Sequence, residues 1–177
     1  RYKGTTNLPR TKFPMRANLA ANEPKRLAQW EEDKLYEQLL KKNKGHEKFV
    51  LHDGPPYANG PIHLGHAQNK ISKDIINRYW SMRGYQTPYV PGWDCHGQPI
   101  EHKVEEMLGT EKFNQLPTVK IRELCRKMAV EQVDTQRQGF KRLGVLGEWD
   151  NPYLTYVHDY DATDVEIFKA IFDRGAI

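Results

Sequence analysis

The stretch Phe49-Val50-Leu51-His52-Asp53-Gly54-Pro55-Pro56-Tyr57-Ala58-Asn59-Gly60-Pro61-Ile62-His63-Leu64-Gly65-His66 decides the reading of this chain. It opens with a short apolar run, Phe49 to Leu51, that reads as a buried strand. A Gly/Pro-rich turn from Gly54 to Pro61 breaks it, because neither residue type continues a ladder comfortably. After His63 and His66 come Ala67, Ile71, Ile75, Tyr79 and Met82, a helical spacing with one apolar face. Two imidazoles thus stand where a strand gives way to a helix N-terminus. Unsatisfied amides and the positive dipole end gather there, which suits a phosphate. The local chemistry points to a nucleotide.

Working outward, Gln86 to Val90 reads as a second strand, closing a strand–helix–strand unit and so a parallel pair in an α/β sheet. Pro91-Gly92-Trp93-Asp94-Cys95-His96-Gly97 reads as a turn at that strand's carboxyl end, where open parallel sheets bind their ligands. Pro55, Pro56, His63, His66, Trp93 and Asp94 are therefore expected as neighbours. Upstream, residues 1–22 read as an extended arm. A helix is expected from about Glu23 to Lys44, with Asn22 as N-cap and Gly45 as its stop. Downstream, helices are expected over Pro99–Leu108 and Thr118–Leu143, an extended segment over Asn151–Val157, and a last helix over Tyr160–Arg174. Only two good parallel strands can be counted, so the sequence reads as the N-terminal part of something larger.

The 177 residues are 38% hydrophobic and 28% charged, as in a globular protein able to bury a core. No apolar run approaches the roughly 20 residues that span a bilayer, so no membrane association is expected. No signal-peptide pattern opens the chain. Cys95 and Cys125 share no motif, which favours a reducing compartment, the cytosol by default. The net charge of +4 permits an anionic partner without requiring one. Cys95, His96, His102 and Cys125 match no usual zinc spacing.

The quoted stretch resembles the class I aminoacyl-tRNA synthetases, whose His-x-Gly-His motif follows the first strand of a Rossmann fold. Pro55 to Gly60 before His63-Leu64-Gly65-His66 fits the branch handling Ile, Val, Leu and Met. Pro91-Gly92-Trp93-Asp94-Cys95-His96-Gly97, then Pro99-Ile100-Glu101, resembles the isoleucyl enzymes in particular. So do Phe140 to Val145 and Trp149 to Thr155. The resemblance implies an α/β chain holding the first half of a Rossmann catalytic domain over residues 46–177, truncated before the editing insertion. Residues 1–45 would form an N-terminal arm and helix. It implies activation of L-isoleucine with ATP and Mg2+, then charging of tRNA(Ile), by a cytosolic monomer. Zinc would belong only to a C-terminal part of the family lacking here.

By the same resemblance His63 and His66 are catalytic, contacting the ATP phosphates. Gly65 and Asn69 join them at ATP, with Gly65 admitting adenine and ribose. Gly54, Pro55, Pro56, Trp93 and Asp94 bind the amino acid, the Pro55 carbonyl and Asp94 carboxylate holding its ammonium. The family's Lys-Met-Ser-Lys-Ser motif is absent from these 177 residues. Gln68 and Gln98 stand where the family usually has Leu, as expected if surfaces uncovered by truncation had been made soluble. Two other readings are a nucleotidylyltransferase, which shares the His-x-Gly-His helix start, and a non-catalytic nucleotide-binding module.

Overall fold

The computed structural model describes residues 4, 5, 7, 11, 12 and 14–177. They form two compact units, Arg1–Leu35 and Tyr36–Ile177. Of the expected extended arm, residues 1–3, 6, 8–10 and 13 lie outside the described residues. Its last residues are helical, because α1 runs from Leu19 to Glu32. Asn18, not Asn22, is the N-cap, at φ 46°. Asn22 instead donates back to the Ala17 carbonyl at 2.7 Å. The single helix expected to reach Lys44 is broken. Lys34 takes φ 50°, a left-handed conformation that ends a helix, and α2 restarts at Leu35 and runs to Lys42. No glycine or proline announces that break.

In the larger unit the chain pairs in parallel three times. Lys48 bridges Gln86, Tyr57 bridges Asp94, and β1 (Gly92–Trp93) pairs β2 (Tyr153–Leu154). Phe49–Leu51 is extended but only half-buried, with Val50 66% exposed, so the expected buried strand has an open side. The segment Pro91–Gly97 is not wholly a turn, since Gly92 and Trp93 lie in the ladder. Gly92 belongs there because a Cβ would stand 2.1 Å from the Tyr153 ring, so the two strands meet without a side chain between them.

Helix α3 spans Leu64–Met82, close to its expected bounds, yet it is turned over. Its buried residues are Lys70 and Asn77, while Ile75 and Met82 are 61% and 81% exposed. Phe49 stacks on Trp80 at 4.9 Å, and buried Asn43 donates to the Ser81 and Tyr85 carbonyls, fastening the end of α2 to the end of α3. Beyond β1 come α4 (Gln98–Leu108), a short α5 (Thr110–Asn114) absent from the expectations, α6 (Thr118–Arg142) and, after β2, α7 (His158–Asp173). Gly109 and Gly144 stop α4 and α6 at φ 83° and 80°. The core gathers Tyr89, Trp93, Ile100, Val104, Met128, Val133, Phe140 and Trp149 between α4, α6 and the paired segments. Among the described residues no helix is long and apolar enough to cross a membrane.

Candidate active site

His63 is the N-cap of α3, and the two imidazoles interlock there. The His63 Nδ1 accepts from the Gly65 N–H at 3.1 Å and the His66 N–H at 3.4 Å, while the His66 Nδ1 accepts from the His63 N–H at 3.3 Å. This is a reciprocal capping box built from two histidines. The rings stack at 3.8 Å between centroids. Because each Nδ1 accepts, each neutral ring carries its proton on Nε2, and two N–H donors stand side by side. Burial pushes the His66 imidazole below its usual pKa, helped by His63 and Lys70, which favours the neutral donor form. Gly65 is tightly constrained, since a Cβ there would lie 3.0 Å from His63 Cε1.

One expectation changes here. The amides of Gly65 and His66, expected to be open for a phosphate, are occupied by the His63 ring. An anion at this terminus would replace that ring as the cap.

The loop before His63 is fixed to the second segment through backbone. Asp94 N donates to Pro56 O at 2.9 Å, and Ala58 N donates to Asp94 O at 3.0 Å. Pro56, His66 and Asp94 are thus linked through one short framework, with Phe140 seated 6.3 Å from the His66 ring and 6.4 Å from the Trp93 ring. The Asp94 carboxylate accepts from the His96 N–H at 3.4 Å through one oxygen. The Pro55 carbonyl makes no hydrogen bond among the described residues. Trp93 is fully buried, so its indole can serve an amino acid only from behind. Gly54 and Asn69 are exposed, and a Cβ on Gly54 would meet only Lys73 Nζ, at 3.8 Å. Gln68 and Gln98 are exposed as well. A groove of about 280 Å3 runs along Val50, Leu51, His52, Asp53, Pro88, Val90 and Tyr153, apart from the histidine pair.

Beneath this framework lies a charged cluster that the sequence reading did not single out. The Asp53 carboxylate, fully buried, takes Lys70 Nζ on one oxygen and Lys73 Nζ on the other at 2.7 Å. It also accepts from the Gly92 N–H at 3.3 Å. Burial pushes the carboxyl up, but the two lysines outweigh it and hold Asp53 below the usual range. Burial likewise pushes the Lys70 ammonium down, with Asp53 opposing. Asp53 therefore joins the first extended segment, α3 and β1. The spacing His66, Lys70, Lys73, one side of a helix, was the available signal.

The family model of tRNA synthetases class I (I, L, M and V) matches residues 25–177. The chain belongs to this family. It is 56% identical to the isoleucine–tRNA ligase of Limosilactobacillus fermentum over 177 residues, which is 100% of this chain and 19% of that relative. The Halorhodospira halophila isoleucine–tRNA ligase is 55% identical, with 99% and 19% covered. That of Caldanaerobacter subterraneus subsp. tengcongensis is 53% identical, also with 99% and 19% covered. The chain thus spans about a fifth of the curated relatives it matches. In fold it is similar to the Agrobacterium radiobacter K84 agnB2 LeuRS of a ternary complex with tRNA and LeuAMS. That likeness has a TM-score of 0.69 at 20% identity and covers 90% of this chain and 19% of the other. The α/β reading, a parallel sheet with flanking helices as in a class I synthetase, accordingly holds. Among the described residues no group of three or more His, Cys, Asp and Glu could hold a metal ion.

Proposed function

We propose that this chain carries the ATP- and isoleucine-binding half of an isoleucine–tRNA ligase. The carrying observation is the backbone ladder of Pro56, Ala58 and Asp94, which sets an acidic residue beside the loop that ends in the two Nε2–H donors of α3. Asp94 and the Pro55 carbonyl would accept from the ammonium of L-isoleucine. Its carboxylate oxygen would attack the α-phosphorus of ATP as the bond to pyrophosphate breaks, leaving isoleucyl-adenylate. His63 and His66 would donate to phosphate oxygens as charge builds there. Gly65 and Asn69 would border the nucleotide; Gly54, Pro56 and the backbone at Trp93 would border the amino acid.

No acid–base triad is required. The attacking carboxylate is already a nucleophile, so catalysis rests on positioning and on stabilising phosphoryl charge. Neutral imidazole donors suit phosphate oxygens, and Mg2+ would arrive on the nucleotide, since it favours substrate phosphates and water over an all-protein cage. In the longer protein the adenylate would charge tRNA(Ile), in the cytosol, with every contact assigned here coming from one chain.

The test is isoleucine-dependent exchange of pyrophosphate into ATP by the 177-residue chain. The reading predicts exchange with isoleucine and, more weakly, with valine, because a hydrophobic pocket discriminates poorly by one methylene, a limit for which this pair is the standard example. Exchange with no amino acid, alongside retained ATP binding, would instead support a nucleotide-binding module.

A further inference from the structure

We infer that Gln136 is a positioning residue for the amino-acid site, holding the loop after Pro56 and the indole of Trp93 at a fixed separation. The inference rests on the function proposed above. The buried residues of α6 are Met128, Ala129, Val133, Gln136 and Phe140, an apolar row interrupted by one amide. Gln136 is 0% exposed. A polar group there is costly unless bonded, and this one is bonded on both ends. Its Nε2 donates to the Tyr57 carbonyl at 2.9 Å and to the Gly60 carbonyl at 2.7 Å. Its Oε1 accepts from Trp93 Nε1 at 3.0 Å.

Those three partners bracket the proposed contacts. Tyr57 follows Pro55 and Pro56, Gly60 stands shortly before His63, and Trp93 precedes Asp94. Both N–H donors of the amide are spent on the loop, so its position and the indole's are set by one rigid planar group. Val133 and Phe140 share the helix and the burial, but as hydrocarbons they can only pack and cannot hold a carbonyl. The backbone ladder at Asp94 fixes the loop on one side, and Gln136 fixes it on the other.

The experiment uses the 177-residue chain and measures isoleucine and ATP affinities separately by calorimetry, with the Trp93 indole N–H followed by NMR. Gln136→Met, of similar volume, is expected to bind isoleucine about tenfold more weakly, the equivalent of one buried hydrogen bond left unmade. ATP affinity should stay within about twofold by the same scale. Gln136→Glu keeps an acceptor for Trp93 but loses both N–H donors, and should fall on the same side if Gln136→Met does not fold. Val133→Ala, a cavity in the same row, should lower stability without moving isoleucine affinity. In the parent chain, isoleucine should shift the indole N–H of Trp93 and leave that of Trp149, bonded to the Val145 carbonyl at 3.0 Å, in place.

Unchanged isoleucine affinity in the Gln136 variants, an equal loss in Val133→Ala, or an unmoved Trp93 resonance on binding would overturn the inference while leaving the proposed function intact. A parent chain that binds no isoleucine would overturn the function itself, and this role with it.

Discussion

Replacing Asp53 by Asn and Lys70 by Met, one at a time, should give sharply unequal results. Both side chains are sealed from solvent, at 0% and 2% exposure. Asp53→Asn keeps the shape but strips the counter-ion from a buried ammonium and the partner from Lys73. A buried charge left uncompensated costs about 3–5 kcal/mol. Lys70→Met removes the ammonium, yet Asp53 keeps Lys73 at 2.7 Å and the Gly92 N–H at 3.3 Å. The losses are then the Lys70–Asp53 pair, which Lys73 partly makes good, and the hydrogen bond from Lys70 to the Tyr89 hydroxyl at 3.2 Å, together worth about 1–3 kcal/mol.

Urea denaturation at pH 7 reads the difference, with a midpoint falling by about 2 M for Asp53→Asn at a typical slope for a small protein. The double variant should be more stable than Asp53→Asn alone. Acid closes the gap. The folded carboxyl lies below its unfolded value, so its contribution is present above about pH 4 and is lost as pH falls through the folded pKa. Equal costs for the two single variants, or a gap that widens in acid, would refute the view of Asp53 as the charge that others serve.

Gly92→Ala should destabilise the chain by about 1–3 kcal/mol through overpacking, because its Cβ would sit 2.1 Å from the Tyr153 ring, whereas Gly54→Ala should be nearly neutral in thermal denaturation. Cys95 is buried and its thiol is pushed up to about 12 by burial and by Asp94. Iodoacetamide at pH 8 should therefore label it only after unfolding, as mass spectrometry would show. A raised thiol favours the fold below its unfolded pKa, so stability should decline from about pH 9 towards pH 12. Asp94→Ala should weaken isoleucine binding more than ATP binding in calorimetry.

How far the sequence carried the structure differs from element to element. The helix start at His63 was readable because the Gly/Pro turn and the apolar spacing agree on it. The orientation of α3 was not. Periodicity marks a stripe that can be covered, but it does not say by what, and in this chain Ile75 and Met82 stay in solvent while Lys70 is sealed. The break at Lys34 carries no glycine or proline, so only the backbone reveals it. The closeness of His63 to His66 and of Pro56 to Asp94 was readable from spacing and resemblance. Asp53 and Gln136 were not, because a buried polar side chain looks like a surface one until its partners from distant segments are known. Trp93 was expected to border the amino acid, and its side chain is fully buried in the ladder, as a large aromatic there often is.

An NMR titration of the 177-residue chain with ATP and then isoleucine tests the central claim most directly. The account predicts that ATP shifts the His63 and His66 rings and releases the Gly65 amide from its imidazole cap, and that isoleucine shifts Asp94 and the Pro56–Ala58 backbone. Perturbations by both ligands confined to the groove at Val50, His52 and Val90, with the histidine pair unmoved, would contradict it.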